Sequence, residues 1–118
     1  MSDELKDRTK AFALRVLKLV DALPRTQKGR IFAGQIGRSG TAVGANYRAA
    51  CRARSRAEFA AKLGIVEEEA DETAYWLELI AESGALPIAQ TEELHREATE
   101  LTAIMASSRI TVSRNKRS

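Results

Sequence analysis

At 118 residues the chain has room for one domain with one core and not for two. Its single cysteine (Cys51), single histidine (His95) and six aromatics exclude a disulfide framework and a Cys/His zinc set, while the weight of Ala, Leu, Glu and Arg favours helices over a β-sandwich. The net charge of +3 hides a segregation: from Ala22 to Ala57 the chain carries Arg25, Lys28, Arg30, Arg38, Arg48, Arg52, Arg54 and Arg56 with no acid, whereas Glu58 to Glu100 holds twelve acids against Lys62 and Arg96.

Helix 1 is predicted over 3–23, with Asp3 as N-cap and an apolar or small seam at Leu5, Thr9, Phe12, Val16, Leu19 and Leu23. Pro24 closes it, because the residue before a proline is pushed out of the helical region. Helix 2 is predicted over 26–54, with a seam at Phe32, Ile36, Ser39, Val43, Asn46 and Ala50. Ser39 and Asn46 are polar seam residues, and such residues fix register by demanding hydrogen-bond partners. Gly29, Gly34, Gly37, Gly40 and Gly44 each cost roughly 0.5 to 1 kcal/mol inside a helix, so close packing must offset them. At about 100° per residue, Gly37, Gly40 and Gly44 form a flank where a second backbone can approach, and Arg30, Arg38, Arg48 and Arg52 lie opposite the core.

Ser55-Arg56-Ala57-Glu58 is a capping box that opens helix 3, predicted over 56–83 with a seam at Phe59, Leu63, Val66, Ala70, Thr73, Leu77 and Ile80. Gly84 is its expected C-cap and Pro87 a stop. Helix 4 is expected over 91–114, starting near Thr91 with Glu92 and Glu93 against the helix dipole and carrying Leu94, Ala98, Leu101, Met105, Ser108 and Val112 inward. The basic end, with Arg109, Arg114, Lys116 and Arg117, should fray beyond Arg114. Four long helices of 3.5 period with short connections make an all-α, antiparallel up-down-up-down, left-handed four-helix bundle filling 1–118. No apolar run approaches the roughly 20 residues of a membrane span and the charged N-terminus is unlike a signal peptide, so a cytoplasmic, reducing setting is expected.

The block QIGRSGTAVGANYRA, followed by SRAEFAAKLGIVEEEADETAYWLELI, resembles the family known simply as four-helix bundle proteins. That family includes proteins encoded by intervening sequences in bacterial large-subunit ribosomal RNA genes and the accessory variability proteins of diversity-generating retroelements. The resemblance is dense over helices 2 and 3 and rests on pattern and length over helices 1 and 4. It implies a homopentameric barrel and, in the retroelement branch, a basic surface that binds nucleic acid and a partner reverse transcriptase. In the family pattern the positions matching Arg38, Ser39 and Asn46 recur. Where many members carry an acidic residue and a glycine, this chain has Arg48-Ala49-Ala50-Cys51-Arg52, which makes its outer stripe more basic.

The candidate nucleic-acid-binding set is therefore Arg25, Lys28, Arg30, Arg38, Arg48, Arg52, Arg54 and Arg56, for RNA or DNA phosphates. The competing use of these cations is pairing with the acids of helix 3, within one protomer or between protomers, in a pure assembly module. Gly37, Gly40, Gly44, Ser39 and Asn46 are the candidate packing and oligomer residues. Two Gly-x-x-Gly matches, at Gly34 and Gly37, belong to helix packing, because the backbone-clamping loop they resemble needs strands that are absent here. The acidic run Glu67 to Glu72 reads as a solvated or paired face rather than a metal site. Glu92-x-x-His95 is half of a di-iron motif and has no second histidine to complete it. Cys51 has no base beside it in sequence, and no catalytic constellation assembles, so no enzyme, cofactor or metal is expected.

Overall fold

The structure, a computed structural model, describes residues 2–115. Four helices follow one another as α1 (Ser2–Ala22), α2 (Gln27–Cys51), α3 (Arg56–Glu82) and α4 (Ile88–Asn115), joined by turns of four or five residues. Turns that short force each helix back along its predecessor, and the result is an antiparallel four-helix bundle, a rod of 52 × 22 × 20 Å. Contact is most extensive between α3 and α4 and sparsest between α1 and α4. Among the described residues no helix is long and apolar enough to cross a membrane.

Each turn has a local cause. Thr26 caps α2, its hydroxyl accepting from the Gly29 N–H at 3.0 Å. Ser55 caps α3 by accepting from the Glu58 N–H at 3.1 Å. The Glu58 carboxylate returns not to the cap residue but to the Arg54 N–H, at 3.4 Å, so the capping box closes one residue earlier than its usual form. After α3, Gly84 takes φ +77°. The Ala85 N–H then bonds the Ile80 carbonyl at 3.0 Å and the Gly84 N–H the Ala81 carbonyl at 3.1 Å, a Schellman motif that needs a glycine at its left-handed position.

Two boundaries differ from the sequence expectation. Helix 2 ends at Cys51 rather than Arg54, because the chain tightens there: the Arg52 N–H bonds the Ala49 carbonyl and the Ala53 N–H the Ala50 carbonyl. Helix 4 begins at Ile88, three residues before Thr91. Pro87 starts this helix rather than merely stopping the last one; its carbonyl accepts from the Gln90 N–H at 2.9 Å and its fixed φ suits a helix entrance. Thr91 is thus inside the first turn, buried, with its hydroxyl donating to the Ile88 carbonyl. The fraying expected at Lys116 to Ser118 lies outside the described residues.

The core follows the expected seams on α1, α3 and α4: Phe12, Val16, Leu63, Val66, Leu77, Ile80, Leu101 and Met105 are all but inaccessible to solvent. On α2 the seam departs from a strict heptad. Ser39 is fully buried, but Asn46 is half-exposed and Tyr47 takes the core position instead. Asn46 donates to the Ala42 carbonyl of its own helix at 2.9 Å, so it reaches no other helix by hydrogen bond. Ser39 does: its hydroxyl lies 2.9 Å from that of Thr73 on α3. Thr73 donates to the Glu69 carbonyl at 2.8 Å, and with its one proton spent there, Ser39 supplies the proton between the two hydroxyls. This buried pair is a polar pin between α2 and α3.

Candidate nucleic-acid interface

All eight candidate cations are exposed, but they do not form one stripe. Arg25, Lys28 and Arg30 stand at the α1–α2 turn; Arg48, Arg52, Arg54 and Arg56 stand around the α2–α3 turn, at the other end of the rod. Arg38 lies between them and is occupied. One of its guanidinium nitrogens reaches both Glu69 carboxylate oxygens at 3.2 Å, and the other bonds Glu72. Burial of Glu72 works against its charge, but the bonds from Arg38 and from the Trp76 indole N–H, 3.2 Å away, outweigh it and hold its carboxyl below the ordinary range. Arg38 is therefore a clamp between α2 and α3.

The seven other cations have no carboxylate within 4.0 Å among the described residues. Lys28 donates to the Ser83 carbonyl at 3.1 Å, and Arg30 reaches the Arg25 carbonyl at 3.5 Å. Neither contact neutralises charge. Four acids of α3 are paired: Glu67 to Arg109 of α4 at 2.9 Å, Glu69 and Glu72 to Arg38, and Glu78 to His95 at 2.8 Å; Glu68, Asp71 and Glu82 are exposed and have no cation within 4.0 Å among the described residues. The α1–α4 side, where the backbones meet least, is held by Arg8, which forks onto Glu97 at 2.7 and 2.8 Å and reaches Glu100 at 3.3 Å.

The Arg8 fork has a pH consequence. Its hydrogen bonds hold the Glu97 carboxyl below the usual range against the opposing effect of burial. A carboxylate whose folded-state pKa is depressed stabilises the fold above its unfolded pKa, and that contribution vanishes as pH falls through the folded value. Glu97→Gln is accordingly expected to cost about 1 to 3 kcal/mol near neutral pH and to flatten the loss of stability on acidification below about pH 4.5. Denaturant titrations of both proteins across that range check it; parallel stability curves would show that Glu97 is not linked to acid unfolding.

The glycine flank is used inside the protomer. A Cβ on Gly40 would meet the Val16 methyl groups of α1 at 2.7 Å, and one on Gly44 would lie 3.3 Å from the Thr9 carbonyl oxygen. One on Gly37 would have only an ordinary contact, with Val20 at 3.9 Å. Among the described residues no ion pair joins α1 to α2, and close backbone approach takes that place.

Sequence reasoning did not single out the apolar groove between α2 and α3, lined by Ile31, Phe32, Trp76 and Leu79. Trp76 packs edge-on against Phe32, with centroids 6.4 Å apart, and Tyr75 against Trp76 at 5.3 Å. Ile31 and Tyr75 are each more than half exposed. Cys51 is half-buried beside Tyr47, whose hydroxyl is pushed up by burial and by that thiol. No cluster of three or more His, Cys, Asp or Glu suited to a metal occurs among the described residues.

A family model described as 23S rRNA-intervening sequence protein matches residues 3–107. Among solved structures, a protein of unknown function from the S23 ribosomal protein family of Bacteroides thetaiotaomicron VPI-5482 is similar at 41% identity and TM-score 0.80, over 86% of this chain and 94% of that one. No curated protein matches.

Proposed function

Because the chain belongs to the 23S rRNA-intervening sequence protein family, whose model spans nearly its whole length, we propose that it works as a non-enzymatic, self-associating scaffold that holds nucleic acid. The observation that carries the reading is the set of seven exposed cations that have no carboxylate within 4.0 Å among the described residues, even though Glu68, Asp71 and Glu82 of α3 are exposed and unpaired as well. Had these cations served to pair with α3 of their own protomer, Arg38 would not be alone in doing so. Unneutralised arginines and lysines on an exposed surface release counterions when they meet phosphates, and that release drives binding.

Self-association, in the pentameric form the family resemblance implies, is supported by the apolar groove of Ile31, Phe32, Trp76 and Leu79 with Tyr75 at its rim. It exposes aromatic and aliphatic surface of the kind that interfaces bury. Nothing in the matched family's description or the structural relative's name indicates an activity. A reverse transcriptase, the protein partner that the retroelement branch of the resemblance implies, would share the nucleic acid held on this surface.

Light scattering combined with titration of a structured RNA tests the proposal. The expected result is a mass near five times 12.9 kDa at low and high salt, with RNA affinity falling roughly hundredfold between about 50 and 200 mM salt if four phosphates are contacted. Arg48→Glu with Arg52→Glu should weaken RNA binding tenfold or more, lower its salt slope and leave the mass unchanged. Dissociation of the assembly by that pair of changes would instead favour a module whose basic and acidic faces serve only each other, and salt-independent binding would overturn the phosphate reading.

A further inference from the structure

The free cations are divided between the two ends of α2, and the division has a definite spacing. Arg30 and Arg48 are eighteen residues apart, five whole helical turns, so they leave α2 on the same side, and Arg52 lies one further turn along. At 1.5 Å per residue, Arg30 to Arg52 spans about 33 Å. Arg25 extends the group at one end, where Asp21 of α1 borders the same hollow without coming within 4.0 Å of either arginine's charge. At the other, Lys6, Asp7 and Lys10 of α1 border a groove with Arg48, an excess of cations although Lys6 also lies 3.9 Å from Asp3. Between the groups, the same face of α2 carries Gly34, Thr41 and Ala45, none of them charged and none bulky. Arg38, the cation nearest the middle of this stretch, is drawn aside by Glu69 and Glu72.

A duplex lying parallel to a rod presents the backbone of a given strand to it once per helical turn, about 34 to 36 Å in B-form DNA. Between those crossings the complementary strand passes once, with the minor groove on one side of it and the major groove on the other. Two cationic clusters about one turn apart match successive crossings of one strand, and the low, neutral strip between them lies under the grooves and the single pass of the other. No aromatic side chain lies on this strip, so bases of a single strand would find nothing to stack on. We propose that the outer α1/α2 face binds double-stranded nucleic acid lengthwise, with the α1–α2 turn and the last turn of α2 gripping phosphates one helical turn apart. This rests on the nucleic-acid reading above and specifies its substrate as a duplex of at least one turn. The apolar α2/α3 groove faces another side and stays available for self-association.

The test is a length series of B-form DNA duplexes, about 8 and about 20 base pairs long, titrated at several salt concentrations. The longer duplex should bind tenfold or more tightly than site counting alone predicts, with roughly twice the salt slope, because both clusters are engaged. Arg25→Glu with Arg30→Glu, and separately Arg48→Glu with Arg52→Glu, should each bring the longer duplex down to the affinity and slope of the shorter one. Arg38→Gln should leave the length step in place. Loss of the step in either double variant separates this geometry from mere avidity among protomers, which would survive the loss of one cluster. An RNA duplex of the same length identifies which polymer supplies the phosphates, and the same step is expected with whichever binds. Duplex binding with no length step, or single strands bound as tightly as duplex, overturns the lengthwise mode and leaves the general proposal standing. Failure of any nucleic acid to bind at low salt sinks both.

Discussion

Gly29→Ala is expected to lower the melting temperature by roughly 10 °C or more, a cost of about 3 kcal/mol for a chain of this size. The position looks harmless in sequence, since alanine is worth about 1 kcal/mol more than glycine inside a helix. The fold decides otherwise. A Cβ there would lie 1.9 Å from the Pro24 carbonyl oxygen and 3.3 Å from the Thr26 hydroxyl. The first obstacle is backbone, so the α1–α2 turn itself must open by more than an ångström. Opening it also endangers the Thr26 cap, whose bond to the Gly29 N–H is worth on the order of 1 kcal/mol. Gly34 is the internal control, because nothing lies within 4 Å of a Cβ built there. Gly34→Ala should stabilise by about 0.5 to 1 kcal/mol through chain entropy and propensity. Thermal melts of the two variants should therefore move in opposite directions, and a Gly29→Ala protein as stable as the parent would mean the turn is not held as described.

The same five glycines show how far the sequence could be read. That a glycine-rich helix needs compensation by close packing follows from propensity alone, and Gly40 and Gly44 do face another helix closely. Which helix they face does not follow, because a flank open to a second protomer and a flank open to α1 have the same pattern. The heptad readings of α1, α3 and α4 held because apolar residues mark both sides of each seam. On α2 the stretch Val43 to Ala50 offers Asn46 and Tyr47 as neighbours, and a 3.5 period selects the first. The actual 3.6 residues per turn have drifted enough by then to bring Tyr47 inward, where burying its ring gains more than burying an amide.

The cations were harder to read for a different reason. Arg30, Arg38 and Arg48 share one side of α2, and nothing local separates them. What distinguishes Arg38 is the register of α3, which the short α2–α3 turn, the apolar seam and the buried Ser39–Thr73 pin one residue along from it hold together. With Ser39 opposite Thr73, Arg38 falls between Glu69 and Glu72, one helical turn apart, and is captured by both. The division of the basic stripe into two free ends thus follows from the register in which α2 and α3 pack, linking the core to the surface that would meet phosphate.

The α1–α2 contact supplies the second large effect. Gly40→Ala should destabilise by about 1 to 3 kcal/mol, because its Cβ would press on both Val16 methyl groups at 2.7 Å and on the Val16 Cβ at 3.0 Å. Val16 is completely buried, so it cannot rotate its methyls into solvent, and the two helices must part. Parting them weakens a junction that no ion pair among the described residues reinforces. Val16→Ala alone should cost about 2 kcal/mol, from two methyl groups lost to transfer plus the space they leave. In the double variant the methyl introduced by Gly40→Ala enters that space, so the combined loss should fall short of the sum by at least about 1 kcal/mol. Equilibrium denaturation of the four proteins gives this coupling directly. Additive losses would mean that Gly40 is not the point at which α1 rests on α2, and the use of glycine in place of an ion pair along that junction would need another cause.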